Sequence, residues 1–136
     1  MNGNGDAARA WLRKAESDLE ASELCLAAGK ALDAACFHTQ QAAEKALKAW
    51  LVASGKPFPF VHDLGKLLTL CAQDNPEFER VRALALTLNP FAVEIRYDAE
   101  FWPDLGDARN AVFAARAIHR IVVELWPNAE VNDEPS

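Results

Sequence analysis

Apolar residues recur at steps of three and four positions through most of the chain, which is the period of a helix with one buried side. The clearest case covers residues 32–54, where two adjoining rows of apolar residues face one way. The rows contain Leu32, Ala35, Cys36, Ala42, Ala43, Ala46, Leu47 and Trp50. Gly55 and Pro57 follow and disfavour further helix. The pattern predicts a long central helix whose small alanines let a neighbouring helix approach closely.

An earlier apolar stripe predicts a first helix over residues 6–28. Asp6 is a suitable N-cap residue, because its carboxylate can accept a hydrogen bond from a free backbone N–H group. The stripe contains Leu12, Ala15, Leu19, Ser22 and Leu26, and Ala8 and Trp11 widen its start. Gly29 suits the end of a helix. Because only a short break separates the two helices, we expect them to pack antiparallel.

The remaining stripes predict three more helices. Asp63 is the expected N-cap of a short third helix that ends near Gln73, and Pro76 begins a fourth. Asp104 begins a last helix that ends near Trp126. The expected core positions in these helices are Leu64, Leu67, Leu68, Cys71, Phe78, Val81, Ala85, Leu88, Ala108, Val112, Ala115, Ile118, Val122 and Leu125.

Residues 91–103 are rich in aromatic side chains but lack the alternation of a strand. We expect an ordered loop there, with a helical turn. Short connections between the helices favour an all-α fold, an up-and-down bundle of four to five helices. The expected domain covers residues 6–127, with residues 1–5 and 128–136 as flexible termini.

The composition agrees with one globular domain. The chain has 136 residues, of which 51% are hydrophobic and 25% charged. The net charge of −6 gives the whole molecule no general attraction for nucleic acids or anionic membranes, although a local basic stripe is compatible with it. No signal peptide or apolar run of membrane-spanning length is present, so we expect a cytoplasmic protein.

The three cysteines give no indication of a disulfide or a metal centre. Cys25, Cys36 and Cys71 are odd in number, form no CxxC pair and have no nearby histidine at ligand spacing. We expect free thiols and neither a metal nor another cofactor.

One face of the central helix is polar and carries His38, Gln41, Lys45 and Lys48. The two ammonium groups suit a phosphate, and the glutamine amide suits a base or a ribose. The alternative is a solvated surface whose charges stabilise the helix.

The adjacent residues His62 and Asp63 are a second candidate, as a general base with an orienting carboxylate. The alternative is that Asp63 acts only as the N-cap of the third helix.

Arg96 and Tyr97 are a third candidate, in the aromatic loop. A guanidinium group binds phosphate with two hydrogen bonds and a tyrosine ring stacks on a base, so the two residues suit a ligand clamp. The alternative is a loop anchored by a packed ring and by an ion pair between Arg96 and a carboxylate such as Asp98 or Glu100.

A basic stripe on the last helix is a fourth candidate. Arg109, Arg116 and Arg120 follow one another at seven and four residues, with Phe113 between them and His119 close by. The stripe suits contact with RNA phosphates. The alternative is pairing with acidic residues of the first helix.

Four segments in this order resemble the HEPN domain family (higher eukaryote and prokaryote nucleotide-binding). They are FHTQQAAEKALKAWL, VHDLGKLL, RYD and DARNAVFAARAI, and the resemblance covers residues 7–125. It implies a bundle of four or five helices, usually a homodimer. It also implies small prokaryotic proteins that are often encoded beside a minimal nucleotidyltransferase, in toxin–antitoxin-like pairs.

Many members of this family are metal-independent ribonucleases with an R-x4–6-H motif. No arginine stands five to seven residues before His38, His62 or His119, so this sequence departs from the ribonuclease pattern. It resembles instead the branch marked by an RY motif, here Arg96 and Tyr97, for which nucleotide binding is the usual inference.

The resemblance implies that Gln41, Lys45, His62 and Arg96 are site residues, with Tyr97 beside them. We therefore expect a non-catalytic component that binds a nucleotide, a nucleotidyltransferase partner, or both. One alternative is a ribonuclease toxin that acts on RNA with a displaced site of Arg116, His119 and Arg120. The other is a helical module that serves only in assembly.

Overall fold

The computed structural model describes residues 3–127, apart from the side chain of Arg96. Within this part of the chain the fold consists of α-helices and short 3-10 turns, and no strand is present. The α-helices are α1 (Gly3–Ala28), α2 (Leu32–Ala53), α3 (Leu64–Asp74), α4 (Arg82–Leu88), α5 (Glu94–Tyr97) and α6 (Leu105–Glu124). The 3-10 turns are Pro76–Val81 and Asn89–Ala92. The prediction of an all-α bundle is confirmed.

Helix α2 lies at the centre of the bundle and contacts α1, α3, α4, α5 and α6. Small side chains on α2 permit this close packing, because a methyl group is small enough for neighbouring helix axes to approach each other. The buried alanines of α2 are Ala35, Ala42, Ala43, Ala46 and Ala49. The predicted central helix and its buried side are therefore confirmed.

The large side chains of the core meet around Trp50 of α2. Its ring packs edge to face against Phe78, with the ring centroids 4.9 Å apart. Its indole Nε1 donates a 2.8 Å hydrogen bond to the carbonyl oxygen of Leu125, just after α6. The surrounding core side chains include Leu47, Leu51, Leu64, Leu67, Leu68, Leu88, Ile118, Ile121 and Val122.

Helix α1 begins earlier than predicted. It starts at Gly3, so Asp6 lies in its first turn and the prediction of Asp6 as N-cap is wrong. An aspartate is favourable in either position, because the N-terminal end of a helix carries a partial positive charge. The predicted end is confirmed, since Gly29 follows the helix with a positive φ of 66°.

Capping at the start of α3 brings two distant parts of the chain together. Asp63 Oδ1 accepts a hydrogen bond from the backbone N of Lys66, as predicted for an N-cap. Asn89 Oδ1 accepts a second one, 2.8 Å long, from the backbone N of Leu64. The turn after α4 therefore helps to fix the loop that carries residues 58–63.

The second half of the chain follows the prediction with one difference. Asp104 caps α6 in a reciprocal pair with Asp107, as expected for this start. The predicted fourth helix begins as the 3-10 turn Pro76–Val81 and continues as α4. The expected helical turn within residues 91–103 is α5.

None of the helices described in residues 3–127 has the length and apolar character of a membrane-spanning segment.

Replacing Phe78 should destabilise the bundle strongly. Phe78→Ala removes a fully buried ring from contact with Trp50, so we expect the free energy of unfolding to fall by about 3–5 kcal/mol. Phe113→Ala is the matched control, because that ring is 64% exposed, and its effect should stay within about 0.5 kcal/mol. Urea unfolding followed by circular dichroism measures both. Equal losses in the two variants would contradict this description of the core.

Candidate functional site

A buried ion pair lies on the polar edge of α2. Lys48 Nζ donates a 2.8 Å hydrogen bond to Glu44 Oε2, one helical turn away. The Lys48 side chain is 9% exposed and the Glu44 side chain 5%. Gln40 Nε2 donates to the other carboxylate oxygen at 3.1 Å. Lys48, which we considered as part of a solvated face, therefore belongs to a buried polar network.

His62 joins this network from the loop between α2 and α3. Its Nδ1 lies 3.2 Å from both carboxylate oxygens of Glu44, and its backbone oxygen accepts a hydrogen bond from Gln40. The side chain of His62 is still 73% exposed. The carboxylate that orients His62 is therefore that of Glu44, and the hypothesis of a His62–Asp63 pair is wrong. Asp63 acts as the N-cap instead.

The network keeps Glu44 ionised. Burial alone would raise the pKa of the Glu44 carboxyl, but hydrogen bonds from Lys48, Gln40 and His62 outweigh it and hold that pKa below its ordinary value of 4.5. At neutral pH the site therefore contains a buried carboxylate that is fully engaged by its neighbours.

A second ionic cluster joins α2 to α1. Asp18 of α1 lies with one carboxylate oxygen 2.8 Å from His38 Nδ1 and with the other 2.7 Å from Lys45 Nζ. Gln41 lies between these two residues on α2, and its amide donates a 2.7 Å hydrogen bond to Gln40 Oε1. The side chains of the predicted polar face therefore bind specific partners within the protein, and they do not form a merely solvated surface.

A cleft of about 390 Å³ opens beside this face, between α1 and α2. It is lined by Ala7, Ala10, Trp11, Lys14 and Lys45. Of these residues only Lys45 was a predicted site residue. The sequence pattern assigned Trp11 to the buried stripe of α1, and nothing in it singled out Lys14.

Arg96 and Tyr97 lie in the short helix α5, which contacts α2 and the turn Asn89–Ala92. The side chain of Arg96 lies outside the described part of the structure. Tyr97 is 76% exposed, so the alternative of a packed tyrosine ring is wrong. In the described part of the structure, no hydrogen bond joins Tyr97 to the predicted site residues Gln41, Lys45 or His62.

Two residues of the basic region of α6 are paired with acidic residues of α1. Arg116 Nε donates a 2.6 Å hydrogen bond to Glu23, and His119 Nε2 lies 2.8 Å from a carboxylate oxygen of Glu16. The expected structural pairing is confirmed for these two residues. With Arg120 they line a second cleft of about 300 Å³, which Leu19, Val123 and Glu124 complete.

The order of the helices and the motifs on them agree with the resemblance found in the sequence. The HEPN domain family model matches residues 8–126. The chain belongs to the HEPN domain family. No curated protein matches it.

Two solved structures are similar to this HEPN domain along most of its length. The crystal structure of ST0689, an archaeal HEPN homologue, is 27% identical with a TM-score of 0.72, and the match covers 88% of this chain and 98% of that one. The crystal structure of TT1696 from Thermus thermophilus is 31% identical with a TM-score of 0.71, and the match covers 86% of this chain and 96% of that one.

Cys36 and Cys71 of this HEPN domain are buried free thiols. Burial raises the pKa of each to about 12, so both stay protonated and unreactive at neutral pH. Cys25 is also free and is partly exposed. Within residues 3–127, no three His, Cys, Asp or Glu side chains come together as a metal site would require.

Glu44→Gln should destabilise this HEPN domain at neutral pH. The substitution leaves the buried Lys48 ammonium without a carboxylate, so we expect the free energy of unfolding to fall by about 3 kcal/mol at pH 7. Glu20→Gln is the matched control, because Glu20 is exposed on α1 and its loss should change the value by less than about 0.5 kcal/mol. Urea unfolding measures both.

The same variants give a test by pH. The folded-state pKa of Glu44 is lowered, so its stabilising contribution is complete above the unfolded-state pKa and is lost as the pH falls through the folded-state value. The stability difference between wild type and Glu44→Gln should therefore shrink below about pH 4.5. Glu20→Gln should follow the wild-type curve. A constant difference down to pH 3 would contradict an ionised, paired Glu44.

Proposed function

We propose that this HEPN domain is a non-catalytic binding component that recognises a nucleotide, a minimal nucleotidyltransferase, or both, as a homodimer in a toxin–antitoxin-like pair. The observation that carries the proposal is the network around Gln40. Gln40 holds both Gln41 and His62 by hydrogen bonds, and Lys45 lies one helical turn after Gln41. Three residues implied by the family resemblance therefore belong to one ordered surface.

The chemistry of this surface suits a nucleotide. An ammonium group binds phosphate, and an imidazole and a carboxamide offer hydrogen bonds to a base or a ribose. Because Glu44, Gln40 and Asp18 already fix these side chains, little conformational entropy is lost when a ligand binds.

The absence of the R-x4–6-H motif supports the non-catalytic form of the proposal. None of the histidines has an arginine at the required distance before it in the chain. Glu44 orients His62. However, no arginine stands five to seven residues before His62 to stabilise the charge of a phosphate in the transition state.

A catalytic alternative is favoured by one observation, the cleft on α6 that Arg116, His119 and Arg120 line together. A general base and cationic groups are the requirements of a metal-independent ribonuclease. Glu23 and Glu16 already engage Arg116 and His119, however, and a substrate phosphate would have to displace them.

Calorimetric titration with ATP, GTP and dinucleotides should detect binding. Lys45→Gln should weaken it about tenfold, because the variant loses a charge-assisted hydrogen bond to phosphate. Lys30→Gln is the control, since Lys30 is exposed in the turn after α1 and its substitution removes the same charge elsewhere.

The absence of heat with every nucleotide, together with an unchanged melting temperature, would refute nucleotide binding. The partner form of the proposal would then depend on co-elution of a nucleotidyltransferase-fold protein expressed from the adjacent gene. Light scattering of the protein as it elutes in that chromatography experiment gives the oligomeric state.

The catalytic alternative has its own test. Under our proposal the purified protein leaves RNA intact in the absence of metal, and its expression is harmless to the host cell. Cleavage that is lost in His119→Ala and Arg116→Ala but retained in Arg109→Ala would favour the ribonuclease, because Arg109 does not line the α6 cleft.

A further inference from the structure

The cleft between α1 and α2 differs in charge from the rest of the molecule. The chain has a net charge of −6, yet the only charged residues that line this cleft are Lys14 and Lys45, among those the structure describes. The other lining residues are two alanines and Trp11. A cleft with an aromatic wall and two ammonium groups is complementary to a ligand that is flat at one end and anionic at the other.

The ring of Trp11 is held in place by its neighbours. Phe58 packs against it edge to face, with the centroids 5.8 Å apart and the planes at 89°. Lys48 Nζ lies 5.8 Å from the Trp11 ring centroid and 5.2 Å from that of Phe58. The ion pair with Glu44 fixes that ammonium, which lies over the Trp11 ring.

Small residues leave space on the cleft side of α1. Ala7 and Ala10 line the cleft together with Trp11, and their methyl groups do not fill it. A base that entered this space would lie beside a ring that is already fixed, and aromatic rings bind bases by stacking.

Both lysines have ammonium N–H donors that form no hydrogen bond within the described part of the protein. Lys14 lies three residues after Trp11, on the same face of α1, and forms no hydrogen bond or ion pair with any residue in the described range. Lys45 Nζ has three donors and uses one for Asp18 at 2.7 Å. Both ammonium groups can therefore approach a phosphate at the same cleft.

We propose that this cleft binds a mononucleotide, with the base stacked on Trp11 and a phosphate between Lys14 and Lys45. The inference rests on the proposed function and assigns it a location and a ligand class. The volume of about 390 Å³ lies within the usual range for a small-molecule site. Because the base and the phosphate contribute together, AMP and ATP bind more tightly than adenosine or inorganic triphosphate.

Calorimetry with AMP, ATP, adenosine and inorganic triphosphate at fixed ionic strength tests the stacking of the base on Trp11. Trp11→Leu keeps apolar bulk but removes the aromatic face, and we expect AMP and ATP to bind about tenfold more weakly. Trp11→Phe keeps an aromatic face and should recover most of the affinity. Melting temperatures of both variants identify any loss of binding that is due to unfolding.

Two neighbouring residues of α1 provide a test variant and a matched control for the phosphate contact. Lys14→Gln and Arg13→Gln each remove one positive charge from the exposed surface of α1, but only Lys14 lines the cleft. We expect Lys14→Gln to weaken ATP binding about tenfold while adenosine binding stays unchanged. Arg13→Gln should bind ATP as the wild type does.

The outcomes separate this inference from the proposed function. Selective losses in Trp11→Leu and Lys14→Gln support it. ATP binding that is unaffected by either variant overturns the inference and leaves nucleotide binding at another place on the surface. An RNA oligonucleotide that binds more tightly than ATP, with the same sensitivity to Trp11→Leu, overturns the mononucleotide assignment. Binding of neither overturns this inference and the nucleotide form of the proposed function, and the partner form is then decided by co-elution.

Discussion

The buried ion pair between Glu44 and Lys48 is the interaction on which the polar side of α2 depends. Because α2 contacts all the other α-helices in residues 3–127, its side chains Gln40, Glu44 and Lys48 have little access to water. A buried carboxylate is tolerated when a cation and hydrogen bonds satisfy it, and Lys48, Gln40 and His62 do so for Glu44. The same turn of α2 therefore satisfies its own buried charges and fixes the loop that leads into α3.

Features that depend on nearby residues could be predicted from the sequence. The caps at Asp63 and Asp104 are examples, because a capping side chain bonds to backbone groups two or three residues away. The buried side of α2 is another, since helical periodicity alone determines it. The N-cap and the first turn could not be distinguished for Asp6, because an aspartate is favourable at both positions.

The candidate site could be predicted only in part, because its contacts join residues that are far apart in the chain. His62 lies 18 positions from Glu44, and Lys45 lies 27 from Asp18. Periodicity gives the face on which a residue lies but not the side chain that approaches from another helix. Periodicity places Trp11 on the core stripe of α1, but it does not show that the ring also borders a cleft between α1 and α2.

The hydrogen bond from the Trp50 indole to the Leu125 carbonyl has a consequence for the end of α6. Leu125 is positioned by the last helical turn, where its own N–H donates to the carbonyl oxygen of Ile121. If that turn unwinds, a buried indole donor loses its acceptor as well. Fraying of this terminus is therefore coupled to opening of the core, and the last turn of α6 belongs to the same cooperative unit as α2.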